Sequence, residues 1–62
     1  MDFKKKWKHR NGNVYRIIEI ANSHSDDLDR YPVMIVYKNV HNNTVWCRKL
    51  DDWHRSFVVI DE

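Results

Sequence analysis

Aromatic and cationic side chains are concentrated in residues 44–57, and this combination is typical of a surface that holds a partner. Trp46 and Arg48 stand two positions apart and share one face if this segment is a strand. A tryptophan beside an arginine is a frequent anchor of protein interfaces. The predicted partner-binding residues are Trp46, Arg48, His54 and Arg55. The other interpretation places Trp46 in the core and pairs Arg48 with Asp51 or Asp52, because so small a chain needs its tryptophans inside.

The basic N-terminus is a second candidate site. Residues 1–10 carry five basic side chains and one acidic one, whereas residues 11–62 carry six basic and eight acidic ones. Cations interleaved with an aromatic ring can follow phosphates while the ring stacks on a base. The alternative prediction is therefore a nucleic-acid-binding edge formed by Lys4, Lys5, Lys6, Trp7, Lys8 and Arg10. Two other interpretations stay open: a lysine run that protects an edge strand from aggregation, and a Trp7 that belongs to the core.

Residues that could bind a metal or act in catalysis are present, but their spacing favours neither role. Zinc sites use spacings such as Cys-x₂-Cys or His-x₃-His. Neither spacing occurs in the set His9, His24, His41, His54 and Cys47. His24, Ser25 and Asp26 include the residue types of a catalytic triad, but adjacent side chains on a loop seldom converge and no oxyanion-hole glycine accompanies them. We therefore expect a protein that is not an enzyme and uses no metal or cofactor.

Length and composition predict one small domain. A chain of 62 residues buries only about 60% of its unfolded surface, so its eight aromatic side chains are needed as core volume. A monomer and a homodimer both stay open. The single cysteine, Cys47, allows no internal disulfide and fits a reducing compartment. No apolar run approaches the ~20 residues of a membrane span. No apolar segment follows the basic N-terminal stretch, so no signal peptide is expected, and the expected location is the cytoplasm.

Turn-forming residues divide the chain into five short strands. Asn11-Gly12 lies between two β-like runs and predicts a type I′ hairpin, in which both central residues have positive φ. The predicted strands are residues 5–10, 13–21, 33–38, 44–49 and 57–60, with a polar loop at 22–30. Asp51 or Asp52 is predicted to cap one helical or 3₁₀ turn before the last strand.

The second run has apolar residues on both faces, which indicates a strand that bends between two sheets, as in a small barrel. Tyr15 and Ile17 are predicted to face one way, and Val14, Ile18 and Ile20 the other. The predicted fold is all-β: a five-stranded SH3-like barrel with one short 3₁₀ turn before the last strand, formed by residues 1–62 as a single domain.

A series of spaced residues also gives the chain a family resemblance. The marks are Trp7-Lys8-His9, Gly12, Tyr15, residues 21–25, Val36-Tyr37, Trp46-x-Arg48, Trp53 and Phe57. With these marks the chain resembles a family of very short bacterial and phage proteins, described as a domain of unknown function with an SH3-like barrel. The chain departs from the family pattern at Lys49, where proline is usual, and at Asp26-Asp27, which replace an acidic-Thr pair.

The resemblance and the size of the chain together favour a non-catalytic binding module. The expected role is that of a phage or mobile-element accessory protein that binds and modulates a host protein through Trp46, Arg48, His54 and Arg55. The alternative is a nucleic-acid-binding protein that uses the basic N-terminal edge, residues 1–10.

Overall fold

The computed structural model describes residues 3–60, which form one five-stranded antiparallel sheet and one short helix. The elements in chain order are β1 (Lys6–His9), β2 (Val14–Ala21), β3 (Met34–Asn39), β4 (Val45–Lys49), α1 (Leu50–Ser56) and β5 (Phe57–Ile60). The order across the sheet is β4-β3-β2-β1-β5, so the last strand pairs with the first. All five predicted strands are confirmed, each within one residue of its predicted ends. The first two residues of the predicted basic edge lie outside the described residues.

The sheet is open, and the prediction of a closed barrel is wrong. Within residues 3–60, β4 and β5 are the two edges, and α1 joins them. The helix packs against β3, β4 and β5, and it occupies one face of the sheet, hereafter the inner face. The predicted 3₁₀ turn is instead an α-helix of seven residues. Asp51 and Asp52 lie inside its first turn, where the positive end of the helix dipole favours carboxylates, and Lys49 is the N-cap residue.

The core is an aromatic cluster on the inner face. The buried apolar residues are Trp7, Tyr15, Ile17, Ile35, Tyr37, Trp53 and Phe57, with Ile20 and Leu50 packed against them. The rings of Trp53 and Phe57 stack with centroids 3.8 Å apart, and Tyr37 meets Trp53 edge-on at 5.1 Å. Trp53 and Phe57 belong to the eight aromatic residues expected to supply core volume, and both are buried. The helix therefore contributes the central ring of the core.

A β-bulge in β2 changes which residues face the core. The register against β3 shifts between Ile17 and Glu19, so one extra residue stands between the two parts of the strand. Because of this shift, Ile20 pairs with the buried Ile35 and packs against the core. The predicted alternation, which placed Ile20 on the face opposite Tyr15, is therefore wrong beyond Ile17.

The first hairpin turn is one residue longer than the predicted two-residue loop. The backbone N–H of Gly12 donates to the carbonyl of His9 at 2.8 Å, and the N–H of His9 donates to the carbonyl of Asn13 at 2.9 Å. Gly12 has a φ of 94°, whereas Asn11 is not among the residues with positive φ. These bonds define a three-residue loop in which a type I turn is followed by a left-handed glycine. The type I′ prediction is wrong, but the need for glycine is confirmed.

The polar loop between β2 and β3 is built from successive turns. Asn22 is left-handed, with a φ of 62°, and its Nδ2 donates to the carbonyl of Pro32 at 2.9 Å, which joins the two ends of the loop. Asp27 accepts the N–H of Tyr31 at its carbonyl and the N–H of Arg30 at its side chain. The loop thus has a defined path and its own hydrogen bonds.

Candidate functional site

A cleft opens on the inner face between the first hairpin and β4. It has a volume of ≈ 400 Å³. The residues that line this aromatic cleft are His9, Asn11, Asn13, Tyr15, Tyr37, Trp46 and Arg48. Tyr37 stands opposite Trp46 in the β3–β4 ladder, and Ile35 stands opposite Arg48. Since residues directly opposite each other in a sheet share a face, Trp46 and Arg48 point to the same side as the core.

Trp46 is exposed although it lies on the core-bearing face. Its position on the edge strand leaves 54% of the side chain exposed. Its Nε1 donates to Oγ1 of Thr44 at 2.8 Å, and that hydroxyl in turn donates to Oδ1 of Asn42 at 2.7 Å. The interpretation that Trp46 fills the core is therefore wrong. Its ring is held by this hydrogen bond where it lines the cleft.

Arg48 is held at the other end of the cleft by an aromatic contact. Its guanidinium carbon lies 5.0 Å from the ring centroid of Phe57, a distance at which the ring attracts a cation. The interpretation that Arg48 pairs with Asp52 is not supported, because Asp52 approaches Arg55 at 3.9 Å instead. Arg48 also lines a shallow groove beside α1, together with Lys49, Asp52, Arg55 and Ser56.

The predicted partner-binding residues are divided between two sides of α1. Trp46 and Arg48 meet in the aromatic cleft, and Arg48 meets Arg55 in the groove beside the helix. His54 lies on the side of β1, where its ring is 6.2 Å from that of Trp7. A separate groove there includes His54 and Arg55 in its lining. His54 is therefore not part of the aromatic cleft.

Several cleft residues were missed by sequence reasoning. Tyr15 and Tyr37 are buried at the floor of the cleft, where their rings meet edge-on at 5.1 Å. His9 accepts the backbone N–H of Asn11 at Nδ1 and packs edge-on against Phe57. The alternation of Tyr15 with Ile17 marks both as core residues. It does not reveal that one edge of a tyrosine ring reaches a cleft.

The chemistry that the cleft offers is recognition by ring faces, amide groups and one guanidinium. The two asparagines, the histidine and Arg48 supply hydrogen-bonding groups, and none of the lining residues is a carboxylate or a thiol. Among residues 3–60, no three His, Cys, Asp or Glu side chains are grouped so that they could hold a metal ion. The arrangement favours an apolar or aromatic group bound next to an anion.

The predicted nucleic-acid edge does not form one surface. Lys6 and Lys8 stand opposite Arg16 and Val14, on the face turned away from α1. Trp7, between the two lysines, is only 8% exposed in the core. Stacking of Trp7 on a base, as the sequence suggested, is therefore excluded by its burial. Lys4 and Lys5 precede β1 in a turn. Arg10 lies in the hairpin turn, where its Nη2 donates to the carbonyl of Arg55 at 3.1 Å.

A small all-β domain with an open aromatic cleft is the class of protein that this fold defines. Residues 5–62 match a family described as "Protein of unknown function (DUF1653)", and the chain belongs to this family. No curated protein and no solved structure matches the chain. The resemblance to a domain of unknown function is confirmed, whereas the SH3-like pattern and the bacterial or phage origin stay predictions. In the described part of the chain, no helix has the length and apolar character needed to cross a membrane.

Proposed function

We propose that the protein is a non-catalytic binding module that holds an extended segment of a partner protein along β4, with one partner side chain in the aromatic cleft. The observation that carries the proposal is the exposed Trp46, which is fixed beside Arg48 on an edge strand. Exposed large aromatics beside arginine dominate the binding energy of many interfaces.

The outer edge of β4 is suited to accept another strand. The carbonyl of Thr44 accepts the N–H of Asn39, and the N–H of Leu50 donates to the carbonyl of Val33, just before β3. Successive residues of a strand direct their backbone groups to opposite sides. Trp46 and Arg48 therefore bond to β3, while Val45, Cys47 and Lys49 direct their N–H and C=O groups away from the sheet. Peptides bind many domains by adding a strand at such an edge.

The side chains next to this edge define the chemistry of the partner. An added strand would place alternate side chains on the inner face, next to Trp46 and Arg48. The cleft between Trp46 and Tyr37 fits an apolar or aromatic side chain, and the guanidinium of Arg48 fits a carboxylate, to which it can form two parallel hydrogen bonds. The proposed ligand is therefore an extended peptide with an apolar residue and an acidic residue on the same face, two positions apart.

The predicted fold name and biological role remain part of the proposal. The meander from β1 to β4, with β5 returning beside β1, supports an SH3-like sheet that is opened between β4 and β5. A host protein as partner, with the protein acting as a phage or mobile-element accessory factor, is the role that the resemblance implies.

A peptide library tests the proposal directly. A displayed library of random peptides is selected on the folded protein, and we expect enrichment of the apolar-x-acidic pattern. The selected peptide should bind Trp46→Ala and Arg48→Ala at least about tenfold more weakly, since each change removes a central contact. The matched control is Val45→Ala, which lies on the same strand but on the opposite face and is 57% exposed. Selection of no peptide, or equal binding by all variants, would contradict the proposal.

A further inference from the structure

Basic side chains form a row across the face of the sheet that is turned away from α1, hereafter the outer face. In the strand register Lys6 stands opposite Arg16, and Arg16 stands opposite Lys38. Strands lie ≈ 4.8 Å apart, so this row spans about 10 Å across β1, β2 and β3. Lys8 lies on the same face of β1, two residues beyond Lys6, and Lys49 stands opposite Met34 on this face.

Among residues 3–60, negative charge is largely segregated from this row. Glu19 is the one acidic residue in the five strands; it stands opposite Val36 on the outer face, and its Oε1 accepts the N–H of Ile20. The other described acidic residues lie in the loop after β2 and in α1, which covers the inner face. The small net charge of +2 therefore hides a sheet with one cationic side.

Within this row, the pairing of Arg16 with Lys38 is unfavourable for folding. Like charges directly opposite each other in a sheet are destabilising, and Arg16 has a cation opposite it on each neighbouring strand. An anionic ligand would relieve this repulsion. The groove over the row is lined by Lys6, Arg16, Lys38, Val40, His41 and Asn43, which offers cations together with neutral polar groups.

We propose that the outer face binds the sugar-phosphate backbone of a nucleic-acid duplex, without selecting its sequence. A duplex carries about one negative charge per 1.7 Å of its axis, which suits closely spaced cations. The strand register places no aromatic residue of the five strands on the outer face, so base stacking of the kind that single-strand binders use is not offered there. Anchoring in a membrane surface would call for exposed Trp, Phe or Leu. The five strands place none of these residues on the outer face.

This surface differs from the basic N-terminal edge that the sequence predicts. Its centre is Arg16 and Lys38, which come from β2 and β3 and which no N-terminal motif includes. It also differs from the aromatic cleft, which lies on the opposite face. Binding of a duplex here does not depend on the proposed peptide ligand.

The test is the binding of a fluorescein-labelled random-sequence duplex to the full chain, followed by anisotropy as salt is raised. With three or four phosphates neutralised, log K should fall against log salt with a slope of about −3. Arg16→Glu and Lys38→Glu should each weaken binding at least about tenfold at low salt, because each replaces a phosphate contact with a repulsion. The matched control is Arg30→Glu, which makes the same charge change in the loop after β2.

Two further variants separate binding from folding. Arg16→Gln and Lys38→Gln relieve the cross-strand repulsion, so both variants should fold. Because each has lost a cation, each should nevertheless bind the duplex more weakly than the wild type does. Arg16→Lys should retain the salt slope, since a point charge suffices for a phosphate. Equal weakening by Arg30→Glu and Arg16→Glu would overturn the proposal, since it would indicate a net-charge effect. Undetectable binding, loss on Trp46→Ala, tighter binding to a single strand, or tighter binding to vesicles of anionic lipid would also overturn it.

Discussion

The indole Nε1 of Trp46 donates a hydrogen bond to Oγ1 of Thr44 at 2.8 Å, so an exposed tryptophan is held by the turn that precedes its own strand. The same hydroxyl bonds to Asn42, and Oδ1 of Asn39 accepts the N–H of His41 at 2.8 Å. The β3–β4 turn is therefore fixed from within by its own side chains. A ring held in this way loses little conformational entropy when a partner binds, which raises affinity without a new contact.

Replacement of the hydroxyl tests this pre-organisation. Thr44→Val keeps the branched shape of the side chain but removes the acceptor of the Trp46 N–H. We expect the Nε1–H resonance of Trp46 to move toward its solvent-exposed position, and the affinity for the selected peptide to fall about fivefold, which corresponds to ~1 kcal/mol. Thr44→Ser keeps the hydroxyl and serves as the control. Equal peptide affinities in wild type and Thr44→Val would show that the bond contributes nothing to binding.

Trp53 of α1 and Trp46 of β4 should differ widely in how much their replacement by alanine lowers stability. Trp53 is 0% exposed and stacks on Phe57, so Trp53→Ala should lower the free energy of unfolding by about 3–5 kcal/mol. For a domain of this size that loss approaches the whole stability. Trp46→Ala should change stability by no more than about 0.5 kcal/mol, as is usual for surface positions. Urea titration followed by circular dichroism measures both. A large loss of stability in Trp46→Ala would mean that its ring supports the core.

Arg48 can be tested for its two contacts separately. Arg48→Lys keeps the charge near Phe57 but loses the planar fork that binds a carboxylate with two bonds. We expect peptide affinity to fall about tenfold, or ~1.4 kcal/mol, with little change in stability. Isothermal titration with the selected peptide measures this loss. A peptide in which the acidic residue is replaced by its amide should bind wild type and Arg48→Lys equally. If Arg48→Lys bound the amide peptide more weakly than the wild type does, Arg48 would contribute to binding through a contact other than the one with the carboxylate.

The outer-face row predicts an unusual dependence of stability on salt. Because Arg16 faces a cation on each side, Arg16→Gln should raise the free energy of unfolding by a few tenths of a kcal/mol at low salt. At 1 M salt the Debye length is about 3 Å, so the difference between the two proteins should vanish. Urea unfolding at low and high salt checks this. A lower stability of Arg16→Gln under both conditions would mean that the arginine packs favourably on the sheet.

The strands could be predicted from the sequence because each is set by local chemistry. Polar turn residues bound the apolar runs, so the strand ends fall within one residue of the predicted positions. The outcomes that the sequence did not predict are those that depend on register. The β2 bulge turns Ile20 inward. The sequence left Trp46 open between a surface and a core position, and the edge position of β4 exposes it.

Charges from different strands were equally hard to predict. Lys6, Arg16 and Lys38 are far apart in the sequence and become neighbours only through pairing. By contrast, the basic residues at the N-terminus were predicted to form one surface with Trp7. Successive residues of β1 point to opposite faces of the sheet, so Trp7 is buried while its neighbours Lys6 and Lys8 lie on the outer face. Local patterns thus predicted the elements, and long-range pairing decided which side chains meet.

Gly12 has a left-handed backbone in the first hairpin and lies between two residues that line the cleft. A Cβ at this position would meet no atom within 4 Å, but the φ of +94° is one that side-chain-bearing residues rarely adopt. Gly12→Ala should therefore destabilise the protein by about 1 kcal/mol through backbone strain alone. Because Asn11 and Asn13 flank this glycine and line the cleft, peptide affinity should fall as well. Gly12→Asn should lose less stability and less peptide affinity than Gly12→Ala, since asparagine tolerates left-handed backbone better than alanine does. Thermal unfolding and peptide titration measure the two effects. An alanine variant that equals the wild type in both would mean that the turn can adopt another conformation at no cost.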